Sequence, residues 1–205
     1  MSDSPGDYPV IIERNLKVPM RDGTILRADV WRPDTDGQFP VLIERTPYDK
    51  TGSSESNLKA GEFYGSHGYV VVIQDVRGRF ASDGEFYPFR DDGDSDKQDG
   101  YDTVEWAAEQ PWSNGSIGTI GGSYSGSTQY RMLSTQPPHL KAQFARQSSA
   151  DYYDEWVYRG GAFEHGFNLM WTLKHTATNA RKLAARGTED AVENSVIKAS
   201  DDYQT

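Results

Sequence analysis

Residues 117–126 read IGTIGGSYSG and decide the fold, because they place a serine between an apolar strand and a helix. The run 117–122 predicts a short buried strand, and the run 124–135 predicts a helix. Ser123 stands at the turn among residues with little or no side chain, and so sharp a turn presents Oγ above the edge of a sheet. The pattern predicts a nucleophile elbow, with the Tyr124 N–H at the helix N-terminus as an oxyanion donor.

A plainer interpretation fits the same ten residues. The usual motif, G-x-S-x-G, has a glycine where this chain has Ser125, and the glycine falls at Gly126 instead. Taken alone, the motif fits a Gly/Ser-rich turn with a hydrogen-bonded serine equally well. The flanking sequence is needed to choose between the two.

The runs before and after this turn predict an α/β fold. Residues 10–18 and 24–31 are β-rich and flank Asp22-Gly23, a pair typical of a tight hairpin turn. Short, continuously apolar runs then alternate with helical patterns, which indicates parallel strands joined by right-handed crossovers. The strands are predicted at 40–44, 69–74 and 140–145, and the helices at 58–66 and 100–110. The expected fold class is a doubly wound α/β sheet with an N-terminal antiparallel hairpin.

The character of the chain changes after Arg146. Residues 149–171 are crowded with Tyr, Trp, Phe and Gly, and residues 172–198 predict a helix with no strand after it. We therefore predict two domains. Residues 1–147 are expected to form the N-terminal part of an α/β domain, and residues 148–205 the start of a helical cap.

Composition limits the classes of function. The 205 residues carry a formal charge of −10, which argues against a nucleic acid partner. There is no cysteine, so disulfides, thiolate metal sites and a cysteine nucleophile are excluded. Residues 1–15 have no apolar signal-peptide core, and the longest apolar run, 69–73, is too short to span a membrane. A cytoplasmic protein is expected.

Six aspartates lie between Asp91 and Asp102. A calcium-binding EF-hand loop starting at Asp92 would need glycine at 97 and glutamate at 103, where this chain has Lys97 and Thr103. The run is therefore predicted to be a solvated loop before a helix N-terminus, and no metal site is expected.

Four stretches, 18–33, 45–50, 74–79 and 99–126, carry a family resemblance. They resemble the group of α/β-hydrolases that includes X-prolyl dipeptidyl-peptidases, cocaine esterase, glutaryl acylases and α-amino-acid ester hydrolases. In that group the nucleophile lies in G-x-S-Y-x-G, which residues 121–126 match at every fixed position. The resemblance implies an α/β-hydrolase fold and accounts for Ser125. Residues 77–84 resemble a loop near the active-site floor, although their arginines also fit structural ion pairs.

The resemblance also implies roles for individual residues. Ser123 would attack an ester or amide carbonyl of a small molecule, without metal or cofactor, and the Tyr124 amide and the Tyr48 phenol would stabilise the oxyanion. Trp156 and Trp171 fall where some members line the acyl pocket with tryptophan. The alternatives are a solvated tyrosine at the rim for Tyr48 and ordinary core packing for the tryptophans.

A catalytic serine also needs a general base, and the first 150 residues offer no good candidate for it. In α/β-hydrolases the order is Ser, then Asp or Glu, then His, on loops after later strands. His67 is expected at the surface and His139 far from the catalytic edge. The family places its Asp and His beyond residue 205, so the chain is predicted to be an N-terminal fragment that is inactive by itself.

Two alternatives stay open at this point. A self-contained esterase would build a compact triad from Ser123 and a local carboxylate and imidazole, chosen from Asp151, Asp154, His165 and His175. A non-catalytic interaction module would keep the fold and offer an apolar patch to a partner.

Overall fold

The chain divides into two compact units, the first ending at Ala150 and the second starting at Asp151. The computed structural model describes residues 7–51 and 55–185. The division falls three residues after the predicted boundary at 147. That the units are a hydrolase domain and a cap stays a prediction.

A mixed six-stranded sheet forms the centre of the first unit, with strand order β1-β2-β4-β3-β5-β6. The β1–β2 and β2–β4 pairs are antiparallel, and the other pairs are parallel. The predicted hairpin is confirmed: Gly23, at φ 84°, donates to the Met20 carbonyl at 2.9 Å. The strands are β1 (Val10–Pro19), β2 (Ile25–Pro33), β3 (Phe39–Thr46), β4 (Val70–Asp75), β5 (Ser113–Gly122) and β6 (Leu140–Arg146).

Helices cover both faces of this sheet: α1 (Glu55–Ser66), α2 (Asp99–Ala108) and α3 (Tyr124–Leu133). On one face Trp31 is fully buried, and a Cβ at Gly61 of α1 would lie 2.6 Å from its ring. On the other face Val104 of α2 and Met132 of α3 join the main core. Because β4 is buried along its whole length, its sequence is continuously apolar until its last residues. The doubly wound architecture predicted from the sequence is confirmed.

Two elements begin four or more residues before the predicted position. β5 begins at Ser113 rather than Ile117, because Ser113 pairs with Phe39 across a register shift that sequence periodicity does not reveal. The helix expected from residue 172 begins at His165.

The prediction that the acidic run is solvated is wrong for three of its six aspartates. Residues 90–94 form a short π-helical turn, and Asp91, Asp92 and Asp99 are buried, with exposed fractions of 5%, 4% and 1%. Burial of these carboxylates is compensated by arginines at the ends of β3 and β4, which sequence spacing alone does not pair with them. Half of the aspartates are therefore part of the interior, whereas Asp94 and Asp96 are exposed, and the run leads into the N-terminus of α2 as predicted.

The second unit contains a π-helical turn (Tyr153–Val157), a two-stranded ribbon of β7 (Tyr158–Arg159) and β8 (Ala162–Phe163), and helix α4 (His165–Ala185). Across the described parts of both units, no helix combines the length and apolar character needed to span a membrane.

Candidate active site

Ser123 lies at a sharp, strained turn between β5 and α3. Its backbone has φ 56° and ψ −123°, a combination that non-glycine residues rarely adopt. The turn is fixed on both sides: Ser123 N–H donates to the Arg146 carbonyl at 3.0 Å, and its own carbonyl accepts from Gly126 and Ser127 at 3.0 and 3.1 Å. The side chain is half-buried. The strand-turn-helix geometry predicted at this serine is present.

Two glycines make the turn sterically feasible. Gly121 has φ 141°, and a Cβ there would lie 2.5 Å from the Cβ of Ser125. A Cβ at Gly126 would overlap the side chain of Ser148. At Gly122, by contrast, a Cβ would lie 3.5 Å from the nearest atom, which is ordinary contact. The first and last positions of G-x-S-Y-x-G therefore need glycine, and the second does not.

Ser125, the residue that departs from G-x-S-x-G, ties the elbow to the neighbouring strand. It is 1% exposed and hydrogen-bonded to the Glu44 carboxyl of β3. Burial raises the pKa of Glu44, while the Ser125 hydrogen bond and the Arg146 charge oppose that rise. Sequence reasoning missed this contact, because nothing in the spacing of 44 and 125 links them.

Tyr48 and Tyr124 lie together beside the elbow. Their rings are 6.3 Å apart at 74°, an edge-on contact. Tyr124 is 2% exposed and stacks on Phe89 at 4.0 Å, and its phenol oxygen accepts the Phe89 N–H at 2.9 Å. Tyr48 is half-buried and follows β3, as Ser123 follows β5. Because β3 and β5 are adjacent and parallel, both residues reach the same edge of the sheet.

The loop that carries Tyr48 is held from the end of β4. The Asp75 carboxylate accepts the Lys50 N–H at 2.8 Å and the Ala81 N–H at 3.2 Å. Arg79 Nε donates to the Pro47 carbonyl at 3.0 Å. Burial raises the pKa of Asp75 to about 6, which the two N–H donors only partly offset. These contacts fix the backbone on both sides of Tyr48.

Arg45 and Arg77 neutralise the buried aspartates. Arg77 makes a bidentate contact with Asp99, at 2.9 and 2.5 Å, and its Nη1 lies 2.7 Å from Asp22. Arg45 pairs with Asp92 and donates to Gln74 at 2.7 Å. Burial raises the pKa of Asp22, but hydrogen bonds from Arg77 and Thr24 outweigh this effect and lower that pKa to about 2. Arg77 therefore has the structural ion-pair role that the sequence left open.

The two histidines of the first unit lie away from this edge. His139 precedes β6 and pairs with Glu105 at 2.7 Å, at the opposite end of the parallel β5–β6 pair from Ser123. His67 precedes β4, is exposed, and contacts the Phe63 carbonyl at 2.7 Å. Both placements agree with the sequence prediction. Neither histidine serves Ser123 as a base.

The remaining candidate residues belong to the second unit. Trp156 stacks on Tyr152 at 5.4 Å and borders a cavity of about 240 Å³ with Arg159, Glu164 and Phe167. Trp171 lies on α4, 4.4 Å from the ring of His175. Their roles in an acyl pocket, and the compact triad using His165 or His175, stay predictions.

Known proteins with similar sequences are hydrolases. The chain is 42% identical over 170 residues to the cocaine esterase of Rhodococcus sp. (strain MB1 Bresler), covering 82% of this chain and 29% of that enzyme. It is 27% identical over 186 residues to a putative serine esterase of Mycobacterium tuberculosis (strain CDC 1551 / Oshkosh), covering 81% and 29%. The chain thus spans less than a third of the length of these relatives.

Solved structures show the same architecture. A CocE/NonD family hydrolase from Staphylococcus aureus superposes with a TM-score of 0.74 at 34% identity, over 82% of this chain and 33% of that one. An α-amino acid ester hydrolase superposes with a TM-score of 0.65 at 30% identity, over 84% and 30%. The fold is that of the α/β-hydrolases. Residues 22–204 match the X-Pro dipeptidyl-peptidase (S15) family, and the chain belongs to that family.

Proposed function

We propose that this chain supplies the nucleophile and the oxyanion hole of a serine hydrolase that cleaves small-molecule esters or amides. The observation that carries the proposal is the backbone of Ser123, held at φ 56° between β5 and the N-terminus of α3. Strain of this kind persists only where the surroundings enforce it, and here hydrogen bonds enforce it on both sides. Membership of the S15 family supports the same class of reaction.

The proposed reaction is acyl transfer in two steps. Ser123 Oγ adds to the substrate carbonyl carbon while a general base takes its proton. The tetrahedral intermediate collapses, the leaving alcohol or amine receives that proton, and an acyl-enzyme remains. Water, deprotonated by the same base, then attacks the ester and releases the acid. No step in this sequence requires a metal or a cofactor.

The negative oxygen would be stabilised by two donors. The Tyr124 N–H lies at the first residue of α3, where the helix dipole adds to its effect. The Tyr48 O–H is the second proposed donor. Its ring packs on that of Tyr124, which keeps it beside the elbow. The Tyr124 phenol is engaged by the Phe89 N–H, so its backbone is the proposed contributor. One such donor contributes roughly 10²–10³ in kcat.

The described histidines of the first unit lie at the amino ends of its parallel strands, and the triad order of α/β-hydrolases places Asp or Glu and then His after later strands. We therefore assign the general base and its carboxylate partner to residues outside the described parts of both units. The second unit is proposed to begin a helical cap, with Trp156 and Trp171 against the acyl group. A triad completed by Asp151 or Asp154 with His165 or His175 is the competing assignment. Substituting both of these histidines by Gln separates the two, since only the competing triad then loses its base.

Labelling with a fluorophosphonate tests the proposal. In the natural gene product the reagent should modify Ser123, and Ser123→Ala should abolish both labelling and ester hydrolysis. Ser134→Ala, at an exposed serine at the far end of α3, is the matched control and should retain both. Retained hydrolysis in Ser123→Ala would refute the assignment. A wild-type protein that is neither labelled nor active would favour the non-catalytic interaction module.

A further inference from the structure

Arg79 is a fully buried arginine in the turn after β4, with an exposed fraction of 1%. Its guanidinium lies over two phenyl rings, with Cζ 4.9 Å from the centre of Phe80 and 5.0 Å from that of Phe86. Its Nε donates to the carbonyl of Pro47 at 3.0 Å. Stacking of this kind holds a guanidinium in one orientation. A fixed positive charge is therefore attached to the peptide that leads into Tyr48.

Arg77, two residues earlier, shows what a structural arginine does in this fold. Its guanidinium is occupied by the carboxylates of Asp99 and Asp22, so that it joins the acidic run to the hairpin turn. Arg79 instead directs its Nε to the backbone beside a proposed oxyanion donor. The two arginines follow the same strand, yet only the second reaches the Tyr48 loop.

The electrostatic surroundings of Arg79 include both tyrosines of the site. Burial lowers the pKa of Arg79, while the phenols of Tyr124 and Tyr48 and the carboxylates of Asp75 and Asp49 act in the opposite direction. An arginine keeps its charge under such conditions. In a medium of low effective dielectric, a charge at short range polarises a neighbouring O–H and stabilises negative charge that the O–H contacts.

We propose that Arg79 is a positioning residue of the oxyanion hole, which fixes the Pro47–Tyr48 peptide and holds a positive charge beside the Tyr48 phenol. It acts through Tyr48 and need not touch the substrate. The inference rests on the proposed function and names a further residue of that same site. Its signature is a contribution to kcat that exists only while the Tyr48 hydroxyl is present.

A double-mutant cycle in the natural gene product measures that signature. Arg79→Met keeps the apolar stem and removes the charge and the Nε donor. With a simple aryl ester, it should lower kcat by about tenfold or more and leave KM within about twofold. In a Tyr48→Phe background the same change should lower kcat by less than about twofold, because the group through which Arg79 acts is gone. Arg79→Lys, which restores the charge, should recover part of the loss.

Controls separate a specific effect from a loss of structure. Arg90→Met removes another arginine stacked on an aromatic ring, that of Tyr87 at 4.4 Å, but this arginine is exposed, and the change should leave kcat unchanged. Rates are divided by the concentration of sites that a fluorophosphonate titrates. An unchanged kcat in Arg79→Met, or equal losses with and without the Tyr48 hydroxyl, would overturn the proposal. So would failure of both Arg79 variants to fold, which would make Arg79 a stability residue. A wild-type protein without reactive Ser123 would instead refute the proposed function itself.

Discussion

The elbow at Ser123 and the loop that carries Tyr48 offer two proposed oxyanion donors, and they hold them by different means. At the elbow, the donor is a backbone N–H, and its direction follows from the backbone turn that Gly121 and Gly126 allow. At the loop, the donor is a side chain, and its position depends on contacts from Asp75, at the end of β4, and from Arg79, in the turn after it. A backbone donor is specified by a local motif, whereas a side-chain donor is specified by tertiary contacts.

The largest effect is expected at the elbow. Gly121→Ala should abolish the reaction of Ser123 with a fluorophosphonate, because φ 141° is unfavourable for alanine and the new Cβ would lie 2.5 Å from that of Ser125. We expect the free energy of unfolding to fall by about 2–4 kcal/mol. Gly122→Ala is the matched control for stability, and thermal unfolding measures both. A Gly121→Ala protein with wild-type stability and reactivity would show that the turn is not sterically specified.

A smaller effect is expected at the loop. Tyr48→Phe removes one donor and leaves the ring packed on Tyr124, so kcat should fall by about 10²–10³ with KM little changed. Steady-state kinetics on an aryl ester measure this, with Tyr87→Phe, at a tyrosine 59% exposed, as the control. An unchanged kcat would make Tyr48 a rim residue and leave the elbow as the only proposed donor.

The smallest effect concerns the support of that loop. Burial raises the pKa of Asp75 to about 6, from an ordinary value of 3.8. The folded protein therefore holds a proton that the unfolded chain releases, and this stabilisation, of the order of 3 kcal/mol, is present below pH 3.8 and is lost as the pH rises through 6. The melting temperature of wild type relative to Asp75→Asn should decrease between pH 4 and pH 7.

Asp83→Asn, at an exposed aspartate after the same strand, provides the comparison for this pH series. If the Asp75→Asn difference changes with pH no more than the Asp83→Asn difference does, the pKa of Asp75 is not raised in the folded protein, and its proposed burial cost is refuted.

Local patterns predicted most of the fold and only half of the site. The apolar runs at β3 and β4 and the Asp-Gly turn at Gly23 specify their own structure through short-range preferences, and the elbow does so through its glycines. The contacts Glu44–Ser125 and Arg79–Pro47 join residues far apart in the sequence, and no periodicity encodes them. The prediction for the buried aspartates failed for the same reason. An acidic run is typical of a solvent-exposed segment, and the sequence does not show which distant arginines neutralise it.

The strand order β1-β2-β4-β3-β5-β6 has a consequence for how the site comes into being. Tyr48 and Ser123 become neighbours only when β3 pairs with β5, which aligns Ile43 with Thr119 across the intervening α1, β4 and α2. Closing so long a loop costs entropy before any contact compensates for it, and such non-local parallel pairings form slowly. The N-terminal hairpin, rich in local contacts, carries none of the proposed catalytic groups. During folding, the two halves of the proposed oxyanion hole therefore meet only through long-range contacts, and a nascent chain that has not reached β5 cannot assemble it.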